Sequence, residues 1–139
     1  MTDDALLEIV AAGRIGTLAT VKRDGRAQMS VVSYAYFPEE HLLRVSVTAP
    51  RAKTRNLRRD PRASMMIISP NVYRFAVVES TATLSEVASS PDDAAVDELV
   101  ETYRAIGGEH PDWSEFRQAM VADQRVVVRL PIDRLYGQV

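Results

Sequence analysis

"RIGTLATVKRDGRAQMSVVSYAYFPEEHLLRVSVT", residues 14–48, is the stretch on which the fold turns. It reads as three strands in succession. Residues 14–21 are rich in β-branched and apolar side chains. Asp24-Gly25 is a strong hairpin signal, because that dipeptide tolerates the positive φ angles of a tight connection. Residues 27–37 then form the returning strand, residues 38–41 a second turn and residues 42–48 a third strand. Strands joined this closely pair antiparallel, so the first third of the chain reads as a β-meander.

The flanks extend this pattern. Before it, Leu6, Leu7, Ile9 and Val10 recur at helical spacing, with Asp3 or Asp4 to cap and Gly13 to stop the helix. After it, Pro50 breaks the third strand, Ala52, Asn56 and Leu57 fit a short helix, and Pro61 ends that helix. Residues 63–69 predict a fourth strand and residues 72–87 a long fifth one. The segment 88–122 changes character. Pro91, the acids after it and Gly107-Gly108 outline one helix, and residues 112–122 a second. Residues 124–139 return to β structure. The expectation is one α+β domain over residues 1–139, a six-stranded antiparallel sheet or small barrel with peripheral helices.

Composition narrows the function. The chain has 139 residues, 46% of them apolar, and a net charge of −2, which argues against a dedicated nucleic-acid binder. It has no cysteine, so disulfides, thiolate metal sites and cysteine nucleophiles are absent. The acidic start and the lack of a long apolar run lead us to expect a soluble cytoplasmic protein with no membrane partner. His41 falls in a predicted turn and His110 between two helices, neither with a companion at metal-ligand spacing, so both are expected to be solvated loop residues and no metal is expected. The acidic pairs Glu39-Glu40 and Asp92-Asp93 sit where turns and helix starts favour acids anyway. If the protein is an enzyme, its reactive chemistry is borrowed from a cofactor.

One segment stands out. Residues 50–62, "PRAKTRNLRRDPR", hold six of the seventeen basic side chains and one acid, Asp60. Arg51, Lys53 and Arg55 lie at the start of the predicted helix, where the macrodipole is already positive and cations are misplaced. They become sensible if an anion sits there, because free backbone N–H groups and cationic side chains together favour phosphate. Thr54 and Ser46 add hydroxyl donors. Arg58, Arg59 and Arg62 read mostly as solvated surface. No aromatic residue alternates with these cations, as a nucleic-acid patch would require.

Residues 15–34, residues 45–67 and the closing "RVVVRLPIDRLYG" resemble the pyridoxamine-phosphate-oxidase-like split β-barrel proteins. Among these they are most similar to the actinobacterial branch that binds the deazaflavin coenzyme F-420, the flavin/deazaflavin oxidoreductases of the B type. The resemblance implies a homodimer with cofactor sites at its interface and a reduced ring that donates hydride to an electron-poor small molecule. It implies that Arg51 and Lys53 bind the phosphate, with Ser46 and Thr54 as neighbouring donors and Asn56 next along the helix. It also implies that Gln28, Met29, Ser30, Val31 and Val32 lie on the strand passing the ring. Strand alternation points Gln28 and Ser30 together and Met29 away, and puts Ser46 and Thr48 on one face leading to Pro50 and Arg51. Tyr73 and Phe75 read as core or interface wall, Trp113 as a helix anchor or a cover for the partner's site, and Tyr136 as packing. FMN is the alternative cofactor, since it too carries a phosphate. F-420 differs by a carboxylate-rich tail that Arg55, Arg58 and Arg59 could meet. A non-catalytic F-420 carrier is the remaining alternative. True pyridoxamine-phosphate oxidases end in an Arg-Leu-x-Pro motif that helps bind the pyridoxal substrate. Here Arg129-Leu130-Pro131 falls inside a predicted strand, so vitamin B6 oxidation is not expected.

Overall fold

The computed structural model describes residues 2–139. Helix α1 (Thr2–Ala12) leads into β1 (Ile15–Val21), β2 (Ala27–Ser33), β3 (Ala35–Phe37) and β4 (Leu42–Thr48). Helix α2 (Ala52–Arg59), β5 (Arg62–Ile68), β6 (Phe75–Thr81) and β7 (Thr83–Leu84) follow. Helices α3 (Ala94–Gly107) and α4 (Trp113–Ala122) precede β8 (Arg125–Pro131) and β9 (Arg134–Gln138). All pairings are antiparallel, in a five-stranded sheet ordered β2-β1-β5-β6-β9 and a four-stranded sheet ordered β3-β4-β8-β7. The architecture is α+β. None of the described helices is long and apolar enough to cross a membrane.

The described residues form nine strands where six were expected, and the reason is physical. Three of the six expected segments each divide in two. The returning strand breaks at Tyr34, leaving β2 in one sheet and β3 in the other. The long fifth strand starts only at Phe75 and breaks at Ala82, with β6 and β7 likewise in different sheets. The last segment turns at Ile132-Asp133 into β9, which pairs with β6. At the two bends the old ladder runs one residue past the strand end: Tyr34 N–H donates to Arg14 O at 2.9 Å and Ala82 N–H to Pro61 O at 2.8 Å. A circuit of pairings and bends therefore runs through both sheets and encloses the core.

That core holds Leu18, Leu43, Val45, Met65, Ile67, Val78, Val126 and Val128, all essentially inaccessible. Helix α1 adds Leu6, Ile9 and Val10 at helical spacing, and α2 adds Leu57. Gly25, at φ 87°, gives the β1–β2 connection its left-handed residue. Gly13 is needed for close approach, since a Cβ there would lie 2.5 Å from the Tyr34 hydroxyl oxygen.

Helices α3 and α4 cover the outer face of the four-stranded sheet with a second apolar cluster of Val96, Leu99, Val100, Phe116 and Val127. Asp93 caps α3 by accepting from Val96 N–H at 2.8 Å, and Asp112 caps α4 by accepting from Glu115 N–H at 3.1 Å. Arg44 and Arg129 are direct cross-strand partners under α3. Like charges so placed repel. Glu98 of α3 sits between them, 3.0 Å from Arg44 Nε and accepting from Arg129 Nη2 and Nε at 2.7 and 2.8 Å. The Arg44 Nε contact is ionic, since its alignment does not make a hydrogen bond. Glu40 and Glu101 each lie 3.2 Å from the same guanidinium. At the α3–α4 corner the rings of Tyr103, His110, Trp113 and Phe116 all meet, with centroids 5.0–5.8 Å apart. His110 is thus packed among aromatics rather than solvated as expected, and Trp113 anchors this corner. His41 does occupy an exposed turn, at φ 54°.

Tyr34 is 1% exposed, and its hydroxyl donates to Val10 O at 2.6 Å, joining the sheet-changing bend to the end of α1. Replacing Tyr34 by Phe leaves that buried carbonyl without its partner. The expected loss is about 1–3 kcal/mol, read as a lowered urea midpoint with unchanged slope.

Candidate functional site

Because β2 departs for the other sheet after Ser33, its free edge faces the end of β4 across a gap. A groove of about 360 Å³ opens there. Val31, Val32 and Ser33 line one wall, Ser46, Val47 and Thr48 the other, and Ile106 of α3 lies above. Arg51, Lys53 and Arg125 bring three cations to it. Of the expected site residues, Val32, Ser46, Thr48, Arg51 and Lys53 therefore come together.

The cations are held where they are by the turn that starts α2. Arg51 N–H donates to Thr48 O at 3.2 Å, and the buried Thr54 hydroxyl donates to the same carbonyl at 2.8 Å. Thr54 thus fixes the turn rather than lining the groove. Pro50 lies in that turn, exposed. No side chain caps the first amides of α2, because its N-cap residue is Arg51, which carries no acceptor. Asp60, the acid of the basic segment, is already taken: it accepts from Arg62 Nη2 at 2.7 Å and Nε at 3.0 Å, which brings its carboxyl to about 2. It neutralises nothing in the groove. Burial, then the charges of Arg51 and Arg125, hold the Lys53 ammonium below its ordinary value of 10.5. A lysine whose charged form is disfavoured is a lysine that gains from an anion.

A second groove of about 740 Å³ lies on the other side of the first turn of α2. Lys22 and Arg23 of the β1–β2 turn meet Arg55, Arg58 and Arg59 there, with Gln28 and Asn56 in the wall. Asn56 is buried, donating to Thr20 Oγ1 at 3.1 Å and accepting from Arg59 at 3.2 Å. Thr20 in turn donates to Gln28 Oε1 at 3.1 Å. Gln28 and Asn56 are thus separated from Lys53 and belong to a network joining β1, β2 and α2. Ser30 lies between the grooves on β2, its hydroxyl buried and without a partner. Arg59, expected to be solvated, also donates to Val21 O at 2.7 Å.

Met29 points to the other side of β2, as strand alternation requires, and is 64% exposed. It belongs to the outer face of the five-stranded sheet. Register carries a row across that face from Val31 through Thr17, Met66 and Val77 to Tyr136. Ile15, Val31, Ile68 and Tyr136 are all at least half exposed, and Tyr73 in the β5–β6 turn is 75% exposed. Tyr136 is therefore a surface residue, not the packing residue expected.

Four groove residues were not expected from the sequence: Ser33 and Val47, which adjoin expected ones, and Arg125 and Ile106, which do not. Arg125 opens β8, more than seventy residues from Lys53 along the chain, and only its register with Thr48 brings it near. Ile106 arrives through the packing of α3. No local pattern announced either.

The family model described as pyridoxamine 5'-phosphate oxidase matches residues 2–138. The chain belongs to the pyridoxamine 5'-phosphate oxidase family. A conserved hypothetical protein of Mycobacterium tuberculosis has the same fold, with TM-score 0.74 and 24% identity over 97% of this chain and 82% of that one. An F-420 reductase matches with TM-score 0.64 and 25% identity over 94% of this chain and 95% of its own. A haem-binding protein of Mycobacterium smegmatis matches with TM-score 0.73 and 21% identity, over 99% of this chain and 55% of that one. The fold is thus shared by proteins of different ligand chemistry.

The lowered Lys53 value has a signed consequence. Between that value and 10.5 the unfolded chain binds more protons than the folded one, so Lys53 makes stability rise with pH across this window. A bound anion restores the proton. Anion affinity is therefore full below the window and falls as pH rises through it, with proton uptake on binding. Sulfate, which does not itself titrate there, should show this decline in calorimetry, and Lys53→Arg should flatten it. A pH-independent wild type would refute the assignment.

Proposed function

We propose that this chain is a coenzyme F-420-dependent oxidoreductase, acting as a cytoplasmic homodimer that transfers hydride to an electron-poor small molecule. What carries the reading is one juxtaposition: a cationic groove opening at the edge of an uncovered apolar sheet face, with Val31 belonging to both. A phosphate joined by a short chain to a flat ring has the matching chemistry. Arg51 and Lys53, with the Ser46 and Thr48 hydroxyls and the uncapped amides of α2, would hold the phosphate. The outer-face side chains of β2, Met29 and Val31, offer the apolar surface a ring system needs. When bound, such a coenzyme supplies a ring that carries hydride. The chain's own part is to orient that ring by its anchored phosphate and to keep water from one of its faces.

The same apolar row supports the homodimer. Exposed Ile15, Val31, Ile68 and Tyr136 on one sheet form the kind of surface that another protein covers. A second copy packed there would also close the ring site.

F-420 is preferred to FMN because of the second groove. Its five cations suit a carboxylate-rich tail, and FMN has none. FMN remains the alternative reading. A haem is less well served, because the residues lining the first groove include no histidine, cysteine, methionine or tyrosine, the usual ligands of its iron. They include no carboxylate or imidazole either, and a non-catalytic F-420 carrier has the same groove.

Side-by-side fluorescence titration with F-420 and FMN tests the assignment, and F-420 should bind more tightly. Lys53→Ala should weaken binding by about 1.5–3 kcal/mol, or roughly ten- to a hundredfold. Unchanged affinity in that variant would remove Lys53 from the site. Absence of binding by the native protein would remove the function. Turnover with quinones or unsaturated lactones separates a reductase from a carrier.

A further inference from the structure

The outer face shared by β4 and β8 carries three arginines, and they are treated differently. Arg44 and Arg129 are closed in by Glu40, Glu98 and Glu101. Arg125, four residues before Arg129 on the same strand face, has no such cover. Where α3 gives carboxylates to the first two, it gives Ile106 to the region of the third. The Arg125 guanidinium touches Ser46 O and Oγ only at 3.5 Å, the outer limit of a hydrogen bond. Its Nε is buried and makes no hydrogen bond, and the nearest acid, Asp123, lies 3.7 Å away. A guanidinium normally finds short, aligned partners when it leaves water. This one is partly buried, loosely held and turned to a groove that already contains Arg51 and Lys53.

We infer that Arg125 is the third anchor of the anion groove, holding the ligand's phosphate group jointly with Arg51 and Lys53. This rests on the reading of the groove as a cofactor phosphate site, and adds a side chain that no feature of the basic segment announces. The three cations come from three elements: the turn after β4, the first turn of α2 and the start of β8. Such an arrangement surrounds an anion rather than flanking it, and fixes its position in three directions. Asp123 has the opposite sense. It is the acid that competes with the ligand for Arg125.

The roles of the two residues give opposite signs. The native protein, Arg125→Ala, Arg125→Lys and Asp123→Asn are titrated with F-420, FMN and riboflavin, the last carrying a ring without phosphate. Arg125→Ala should bind the phosphate-bearing ligands roughly tenfold or more weakly and leave any riboflavin binding as it was. Arg125→Lys should recover part of the loss, since charge returns without the paired N–H donors. Asp123→Asn should tighten binding of the phosphate-bearing ligands by roughly three- to tenfold. The inference is overturned if the native protein binds either phosphate-bearing ligand and Arg125→Ala binds it equally well. It is also overturned if riboflavin is weakened as much, or if Asp123→Asn does not tighten binding. Should Arg125→Ala fail to fold, Arg125→Lys and Asp123→Asn still decide. A native protein that binds neither ligand overturns this inference together with the cofactor reading, whereas a neutral Arg125 overturns this inference alone.

Discussion

Strand β2 cannot both follow β1 to its end and close against β4, because after Ser33 the chain must pass to the other sheet. The barrel is therefore open along one edge. Backbone that would have been bonded in a closed barrel faces a gap instead, and side chains from β2, β4 and the start of α2 are left to line it. Tyr34 makes the bend tolerable. Its backbone N–H finds Arg14, and its hydroxyl finds the end of α1, so the chain leaves the sheet without stranding either group. The groove is in this sense a by-product of how the circuit closes, and everything chemical in the molecule is placed by it.

Charge then distinguishes the two ends of the sheet face under α3. Opposed arginines at one end would repel across a strand pair, and the partly buried Glu98 turns that repulsion into a three-membered ionic cluster. Removing Glu98 would leave the partly buried Arg129 uncompensated beside Arg44. At the other end the folded chain provides no comparable closure. Lys53 responds by losing affinity for its proton, through burial first and then through the like charges of Arg51 and Arg125. The same chemistry is thus saturated in one place and left open a few residues away.

Much of this was legible in the residues. Asp24-Gly25 fixed the first hairpin, Pro50 and Pro61 bracketed α2 correctly, and the basic helix start pointed to an anion where Arg51 and Lys53 do face a groove. The strand bends were not legible, because Tyr34 and Ala82 are ordinary strand residues whose break is imposed by closure of the barrel. Nor could spacing along the chain show that Asn56 turns inward to Thr20 while Lys53 faces the groove. Asn56 and Lys53 differ by three positions on a short helix, and which side each takes is set by where Leu57 enters the core. Arg125 required knowledge of strand register, a long-range property. His110 was misread because its ring is recruited by Trp113 and Phe116, whose packing depends on how α4 folds back on α3.

The two grooves flanking α2 differ in physical kind, and this bears on what each contributes to selecting a ligand. Lys53 and Arg125 are partly removed from water, so their attraction for an anion is short-ranged, directional and weakly screened by salt. Arg55, Arg58, Arg59, Lys22 and Arg23 are mostly exposed, and their attraction is long-ranged, forgiving of geometry and readily screened. The first groove therefore sets where a phosphate sits and how a ring attached to it is angled. The second adds encounter rate and a tolerance for anionic chains of variable length. A ligand with a single phosphate draws on the first alone. One with a further run of carboxylates draws on both, and its advantage should shrink as ionic strength rises while the position of its phosphate does not change.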